Sequence, residues 1–299
     1  SNIKTQEGYD KAVAIHPYNP SGYNRNRVYP LLHMDEFLDI DDFKNPLLVR
    51  KYISDASDYE MLESLYENKK EGSSLCLFNV TMQNHSSYDD TDYTFENPVK
   101  LTSMTLQPEA EQYLSLIKMS DDALKELITY FEKVKEPVII VLFGDHQPHL
   151  PDYFYKNVMG EMPDDLSQKD AMKRYQVPFM IWANYDIQAA EVPQISINYL
   201  STLMTETAGL KLTDYQKFLL DMYQYIPSIT ANGFYDRQGN LYSWDDLDEA
   251  DAELQEWIKE YRILQYNYLF DEENRKDAHY QLKEKMIWGC LLYTSPSPR

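Results

Sequence analysis

The sequence predicts an α/β protein, with a mostly parallel sheet flanked by helices and a small C-terminal α+β extension. Three observations predict it. Apolar runs of strand length recur at residues 11–16, 74–80, 138–143 and 177–183, and such continuous runs suit strands buried on both faces of a parallel sheet. Segments with apolar residues at helical spacing lie between them, and alternation of strand and helix is the signature of the class. The first three runs each end in a polar cluster that includes a histidine, His16, His85 or His146. Ligand sites of open α/β sheets lie at the carboxyl ends of the strands.

In order along the chain, the strand over 11–16 is entered through the Gly8 turn and ends at His16-Pro17. The loop that follows holds Tyr18, Tyr23, Asn24, Arg25 and Arg27. Aromatic rings beside a guanidinium can stack on a sugar or glycerol while the arginine pairs with a phosphate oxygen; the same loop also reads as a surface segment offsetting Asp35, Asp39, Asp41 and Asp42. Residues 46–70 read as one amphipathic helix closed by Glu71-Gly72. The strand over 74–80 runs out into Thr81, Gln83, Asn84, His85 and Tyr88. A helix over 109–135 carries Leu114, Ile117, Leu124, Leu127, Ile128 and Phe131 at helical spacing, with a break expected near Ser120-Asp121, a plausible N-cap. The run VIIVLF stops at Gly144 and hands over to Asp145, His146 and His149. A carboxylate beside an imidazole is a usable ligand pair for zinc or manganese. Residues 151–174 read as a lid-like loop with a short helix, 177–183 as a further buried strand and 195–207 as the next helix. Beyond 212, turn signals at Asn232-Gly233 and Gln238-Gly239 predict a small hairpin, followed by an acidic helix near 247–268. The last ten residues, ending in alternating Ser and Pro, have no packing logic.

Composition narrows the function classes. Forty-nine acidic against 28 basic residues give a formal charge of −21 over 299 residues, which disfavours nucleic acid as a partner. Two cysteines, Cys76 and Cys290, imply no disulfide framework. No run of 18 apolar residues is present, so no membrane span is expected within the chain.

His16, the Tyr23-Asn24-Arg25 triplet, the segment FNVTMQNHSSY and the segment FGDHQPH occur together, in this order. In this the chain resembles the lipoteichoic acid synthase and phosphoglycerol transferase family, within the sulfatase and alkaline phosphatase superfamily, over roughly residues 8–275. The resemblance implies an alkaline phosphatase-like fold. It also implies a divalent metal, foremost manganese, with magnesium, zinc and calcium as alternatives, and transfer of glycerol phosphate from phosphatidylglycerol to a glycan or polyglycerolphosphate acceptor. Asp145 and His146 match the paired metal ligands; His85, His16, Tyr23 and Arg25 match contacts to the glycerophosphate, Tyr23 standing where a tryptophan is common. The family's threonine nucleophile and metal-binding glutamate come from strands that would precede residue 1, so the chain reads as the carboxyl-terminal part of a catalytic domain. Such enzymes work at the extracellular face of the bacterial membrane, held by N-terminal helices. The expected organisation is a catalytic domain over 1–211, an extension over 212–289 and a non-family tail over 290–299. Ester hydrolysis by a sulfatase or phosphodiesterase and non-catalytic binding of a glycerophosphate polymer stay open as alternatives.

Overall fold

A computed structural model describes residues 8–104 and 107–282, so Cys290, the final tail and the first seven residues lie outside the described residues. The chain forms two compact units, residues 1–191 and 192–299.

The first unit is built on a parallel sheet ordered β2-β1-β5, with β1 over Lys11–Ile15, β2 over Glu36–Leu38 and β5 over Leu75–Asn79. β1 is the central strand, and Ala12 to Ile15 are fully buried, as its continuous apolar run requires. Helix α1 (Arg25–Leu31) connects β1 to β2, and Tyr29 packs edge-on against Phe37 and Phe78. The single helix expected over 46–70 is not what forms. Residues 48–53 make a two-stranded antiparallel ribbon, β3 (Leu48–Val49) and β4 (Tyr52–Ile53), turned at Arg50 with a left-handed φ of 58°. Helix α2 starts only at Asp55 and runs to Glu67, because Ser54 accepts a hydrogen bond from Ser57 N and so caps it.

Helix α3 (Pro108–Phe131) is continuous through Ser120, correcting the expected break. The Ser120 hydroxyl is directed at Asp55 and at the Leu116 carbonyl, so it does not cap a new helix. α3 feeds β6 (Ile139–Phe143), which pairs with β7 (Phe179–Ala183). This pairing is antiparallel and the strands are half-buried, with Leu142 and Phe143 37% and 40% exposed; the apolar run thus does not mark a strand buried on both faces of a parallel sheet. The segment 151–174 carries α4 (Asp152–Met159) and α5 (Gln168–Met172).

Helix α2 joins the two sheets of this unit. Its Met61, Leu62 and Leu65 pack on Val13, Ile15, Leu75 and Leu77. Its Tyr59, Leu62 and Tyr66 pack with Leu127 and Phe131 of α3 and with Val138, Ile140 and Trp182. Among the described residues no ladder links β5 to β6, so side chains carry this junction and Leu62 belongs to both clusters.

The second unit is α+β. It contains α6 (Ile197–Thr207), α7 (Asp214–Tyr223), an antiparallel sheet ordered β10-β9-β8 and α8 (Ala252–Leu269). β8 covers Ser228–Thr230, β9 Gly233–Tyr235 and β10 Leu241–Ser243. The expected hairpin is therefore part of a three-stranded sheet. A Cβ at Gly233, where φ is 151°, would lie 2.1 Å from the Tyr242 carbonyl oxygen, which makes glycine obligatory there. The core gathers Tyr199, Met222, Ile226, Phe234 and Ile258, and Tyr199 donates to the Ile226 carbonyl. No helix among the described residues is long and apolar enough to cross a membrane.

Truncating Leu62 to alanine is expected to cost about 2–3 kcal/mol, because it opens both clusters of the first unit. Urea unfolding read at Trp182 should show the loss in full, since Trp182 lies in one of those clusters.

Candidate active site

The parallel register of β1 and β5 places Ile15 opposite Asn79, so both chains leave the sheet side by side at its carboxyl edge. His16 and Val80 are the first residues beyond it. Val80 N donates to the Ile15 carbonyl at 3.0 Å. His16, only 1% exposed, returns the tie from its side chain, with Nδ1 2.7 Å from the Val80 carbonyl. A carbonyl can only accept, so Nδ1 carries the proton and Nε2 presents a lone pair. That lone pair faces Arg25 Nη1 at 2.6 Å. Burial, with Arg25 and His85 adding to it against the pull of the Val80 bond, holds the His16 pKa below its ordinary value. The neutral imidazole therefore anchors the arginine.

The loop after His16 is turned by left-handed backbone at Tyr23 and Asn24, with φ 55° and 56°. This brings the Tyr23 ring under the Arg25 guanidinium, 4.7 Å from its centroid, and the Tyr23 hydroxyl to 3.0 Å from His85 Nε2. His85 comes from the loop after β5, and its Nδ1 lies 2.8 Å from the Ser86 carbonyl. By the same reasoning Nδ1 is protonated and Nε2 accepts from the tyrosine. Four residues singled out from sequence, His16, Tyr23, Arg25 and His85, thus form one connected group at the carboxyl ends of β1 and β5. Tyr23 is 63% exposed, so the group opens to solvent on the side where a ligand would enter. It offers a cation, a phenol and the His85 imidazole, a set suited to a phosphate ester bearing hydroxyls, while His16, buried with both nitrogens engaged, holds Arg25 from within.

Asp145 and His146 stand at the end of β6. Gly144 sits where a Cβ would meet Val177 at 3.0 Å, and its N–H donates to the Pro178 carbonyl, so the strand end is pressed onto the chain entering β7. His146 Nδ1 lies 2.8 Å from the Gln147 carbonyl, which fixes the proton there and leaves Nε2 free, 3.4 Å from Asp145 Oδ2. Both side chains are largely exposed, at 78% and 72%. Asp145 Oδ1 also accepts from His146 N at 2.9 Å; a histidine whose far nitrogen is tied to a carbonyl, beside a solvent-facing carboxylate, has the arrangement of a metal-ligating pair. The residues therefore fit a divalent metal as half of a coordination shell. Among the described residues no group of three His, Cys, Asp or Glu completes one. No direct bond joins this pair to the His16 group, but its field reaches the loop that holds His85: the Tyr88 phenol, pushed up to about 12 mainly by burial, is also raised by the Asp145 charge.

Sequence reasoning missed what holds the His85 loop. Gln83 is buried beneath it; its Oε1 accepts from Asp55 N at 3.1 Å and its Nε2 donates to Ser120 Oγ at 3.1 Å. Asn84 Nδ2 also donates to Ser120 Oγ, at 2.7 Å, and Ser120 donates to the Asp55 carboxylate. Asp58, one turn further on, accepts from Asn79 Nδ2 at 2.9 Å. Burial raises both carboxyls, Asp55 to about 6 and Asp58 to about 7, the Asp55 charge adding to the shift at Asp58. An S-D-x-x-D helix start looks like ordinary capping, so nothing in the sequence marks these acids as buried.

Two opposite pH effects follow. The His16 contribution, whose folded pKa is depressed, is complete above the unfolded value of 6.5 and is lost as pH falls through the lower folded value. The contribution of Asp55 and Asp58, whose folded pKa values are raised, is complete below 3.8 and is lost as pH rises toward 6 and 7. Asp58→Asn should therefore stabilise the chain at pH 8 by about 2–4 kcal/mol and hardly at all at pH 4. Thermal melts of both proteins across that range measure the difference.

Comparison with known proteins gives the family and the fold. The family model described as Sulfatase matches residues 1–210. The chain superposes on the Streptococcus pyogenes phosphoglycerol transferase GacH, solved in complex with sn-glycerol-1-phosphate. The TM-score is 0.67 at 21% identity, over 90% of this chain and 66% of that one. A Vibrio parahaemolyticus protein of the alkaline phosphatase superfamily gives a TM-score of 0.53 at 14% identity, over 87% of this chain and 67% of that one. A Rhizobium meliloti (strain 1021) protein named for cyclic beta-1,2-glucan modification is 27% identical over 274 residues, 88% of this chain but 41% of its own length. The chain thus spans about two-fifths of that relative. The fold is alkaline phosphatase-like, and the extent of the family match shows that the chain belongs to the Sulfatase family.

Proposed function

We propose that this chain is the phosphate-binding portion of a metal-dependent phosphoglycerol transferase. It would move glycerol phosphate from phosphatidylglycerol to a glycan or polyglycerolphosphate acceptor at the extracellular face of a bacterial membrane. The observation that carries the reading is the pairing of Arg25 with neutral His16 and of Tyr23 with His85 at one sheet edge. The glycerol phosphate bound by GacH and the glucan in the name of the Rhizobium relative support donor and acceptor classes respectively.

In this reading Arg25 pairs with a phosphoryl oxygen. Its charge is undiminished, because the partner it already has, His16, is neutral. His85 and Tyr23 hold the glycerol hydroxyls. Asp145 and His146 would hold the divalent metal, manganese foremost, with magnesium, zinc and calcium as alternatives. When bound, the metal supplies Lewis acidity toward the phosphoryl oxygens and lowers the pKa of the attacking hydroxyl. The nucleophilic threonine and a further metal-binding glutamate belong, on the family resemblance, to segments upstream of residue 1. The threonine oxygen, giving up its proton, would bond to phosphorus as the bond to the diacylglycerol oxygen breaks and that oxygen takes up a proton; an acceptor hydroxyl, losing its proton, would then take the glycerophosphoryl group as the threonine–phosphorus bond breaks and the threonine is reprotonated. The N-terminal helices of the longer protein would hold it at the membrane.

Calorimetry with manganese and with sn-glycerol-1-phosphate, on this chain and on a form extended upstream, tests the reading. The extended form should bind manganese tightly and move glycerol phosphate from phosphatidylglycerol onto a glycan or polyglycerolphosphate acceptor, with diacylglycerol as the co-product. The short chain should bind manganese weakly, and His146→Ala should abolish that binding. Arg25→Ala should weaken sn-glycerol-1-phosphate binding at least about tenfold, the loss expected for one charge-assisted pair. Transfer to water alone by the extended form would favour a hydrolase. Absence of metal and ligand binding in both forms would overturn the proposal.

A further inference from the structure

We infer that Arg50 is the residue that positions His85 against the ligand. The inference rests on the reading that His85 faces a glycerophosphate.

Arg50 is placed by an unusual turn. It takes the left-handed φ of 58° between β3 and β4, a conformation costly for a residue with a long side chain, and its guanidinium turns toward the loop after β5. Nη2 donates to the carbonyls of Gln83, at 2.9 Å, and His85, at 2.8 Å, while Nη1 donates to the carbonyl of Ser87. One planar fork therefore takes the carbonyls of alternate residues, and the loop is bent around it. The cation also lies 5.5 Å from the Tyr52 ring centroid and 5.7 Å from that of Tyr88, which restricts its rotation.

The consequence for His85 is geometric. Its main-chain carbonyl is fixed by Arg50, its Nδ1 by the adjoining Ser86 carbonyl, and its ring lies edge-on to Tyr52 at 6.0 Å. Nε2 is then left with one direction, toward the hydroxyl of the solvent-exposed Tyr23. Gln83 and Ser120 hold the same loop from the core side, but they touch residues before His85, whereas Arg50 spans it. The hydrogen-bond acceptors of Arg50 here are carbonyls, which leave its charge in place. The cation thus stays at the His85 main-chain carbonyl, 2.8 Å from it. A lysine could keep the charge but not the fork.

The test uses the full chain, with His85 imidazole signals assigned by NMR and sn-glycerol-1-phosphate as the titrant. Arg50→Met, which keeps the stem, should displace the His85 signals and weaken affinity about tenfold. Arg50→Lys should restore part of the affinity while the His85 signals stay displaced. Arg25→Ala serves as the contrast, losing affinity through a direct contact. If both Arg50 variants fold and leave the His85 signals and the affinity within about twofold of wild type, Arg50 has only a structural role and the inference fails. If neither variant folds, the wild-type guanidinium decides: separate, slowly exchanging Nη signals support the clamp, and a single averaged signal overturns it. If the wild-type chain does not bind the titrant, the functional reading falls, and the His85 displacement alone still decides the role of Arg50.

Discussion

The parallel pairing of β1 with β5 is the constraint on which the site depends. Its register sets Ile15 against Asn79, so His16 and Val80 emerge as neighbours and the imidazole closes the pair through the Val80 carbonyl. Everything distal is hung from that closure. The protonated Nδ1 determines that Nε2 accepts, the acceptor fixes Arg25, and Arg25 covers Tyr23, which reaches His85. A slip of one residue would turn His16 to the opposite face of the sheet, and the arginine would lose the imidazole that holds it.

The two histidines of this group use the same device for different ends. Each gives the proton on Nδ1 to a main-chain carbonyl and so exposes Nε2 in a known state. At His16 the exposed nitrogen is spent internally on Arg25, behind the pocket. At His85 it faces a phenol at the pocket entrance. His146 repeats the arrangement with the Gln147 carbonyl, but in solvent, where the free nitrogen stands beside Asp145. A main-chain carbonyl thus fixes the orientation of each of the three rings.

Beneath the pocket the protein accepts a cost in stability. Asp55 and Asp58 are buried with raised pKa values, and one oxygen of each has no hydrogen-bond partner. Their neighbours Gln83, Asn84, Ser120 and Asn79 are the residues that shape the His85 loop. Polar groups inside a core specify one arrangement at the expense of burial energy. Here the arrangement specified is the path of a functional loop, held from below by this network and from the side by Arg50.

Strands β1, β5, β6 and β7 and the polar clusters at the ends of the first three were legible in the sequence, because such a strand shows as an unbroken apolar run and releases polar residues where it stops, whereas the three-residue β2 and the order β2-β1-β5 were not. His16, Tyr23, Arg25 and His85 could be named for the same reason, together with the motif order that carries the family resemblance. The sequence alone could not show the ribbon over 48–53, since the left-handed turn at Arg50 lacks the glycine or asparagine that would announce it and its cost is offset by bonds to a loop some 33 residues away. Nor could it show the continuity of α3 through Ser120, whose hydroxyl has a tertiary partner instead of a cap. The antiparallel, half-exposed β6 carries the same residues a buried parallel strand would. Local chemistry determined where the reactive groups appear and, at His85 and His146, which ring nitrogen meets the adjoining carbonyl; only long-range hydrogen bonds, such as that from His16 to Val80, decided which of the groups meet.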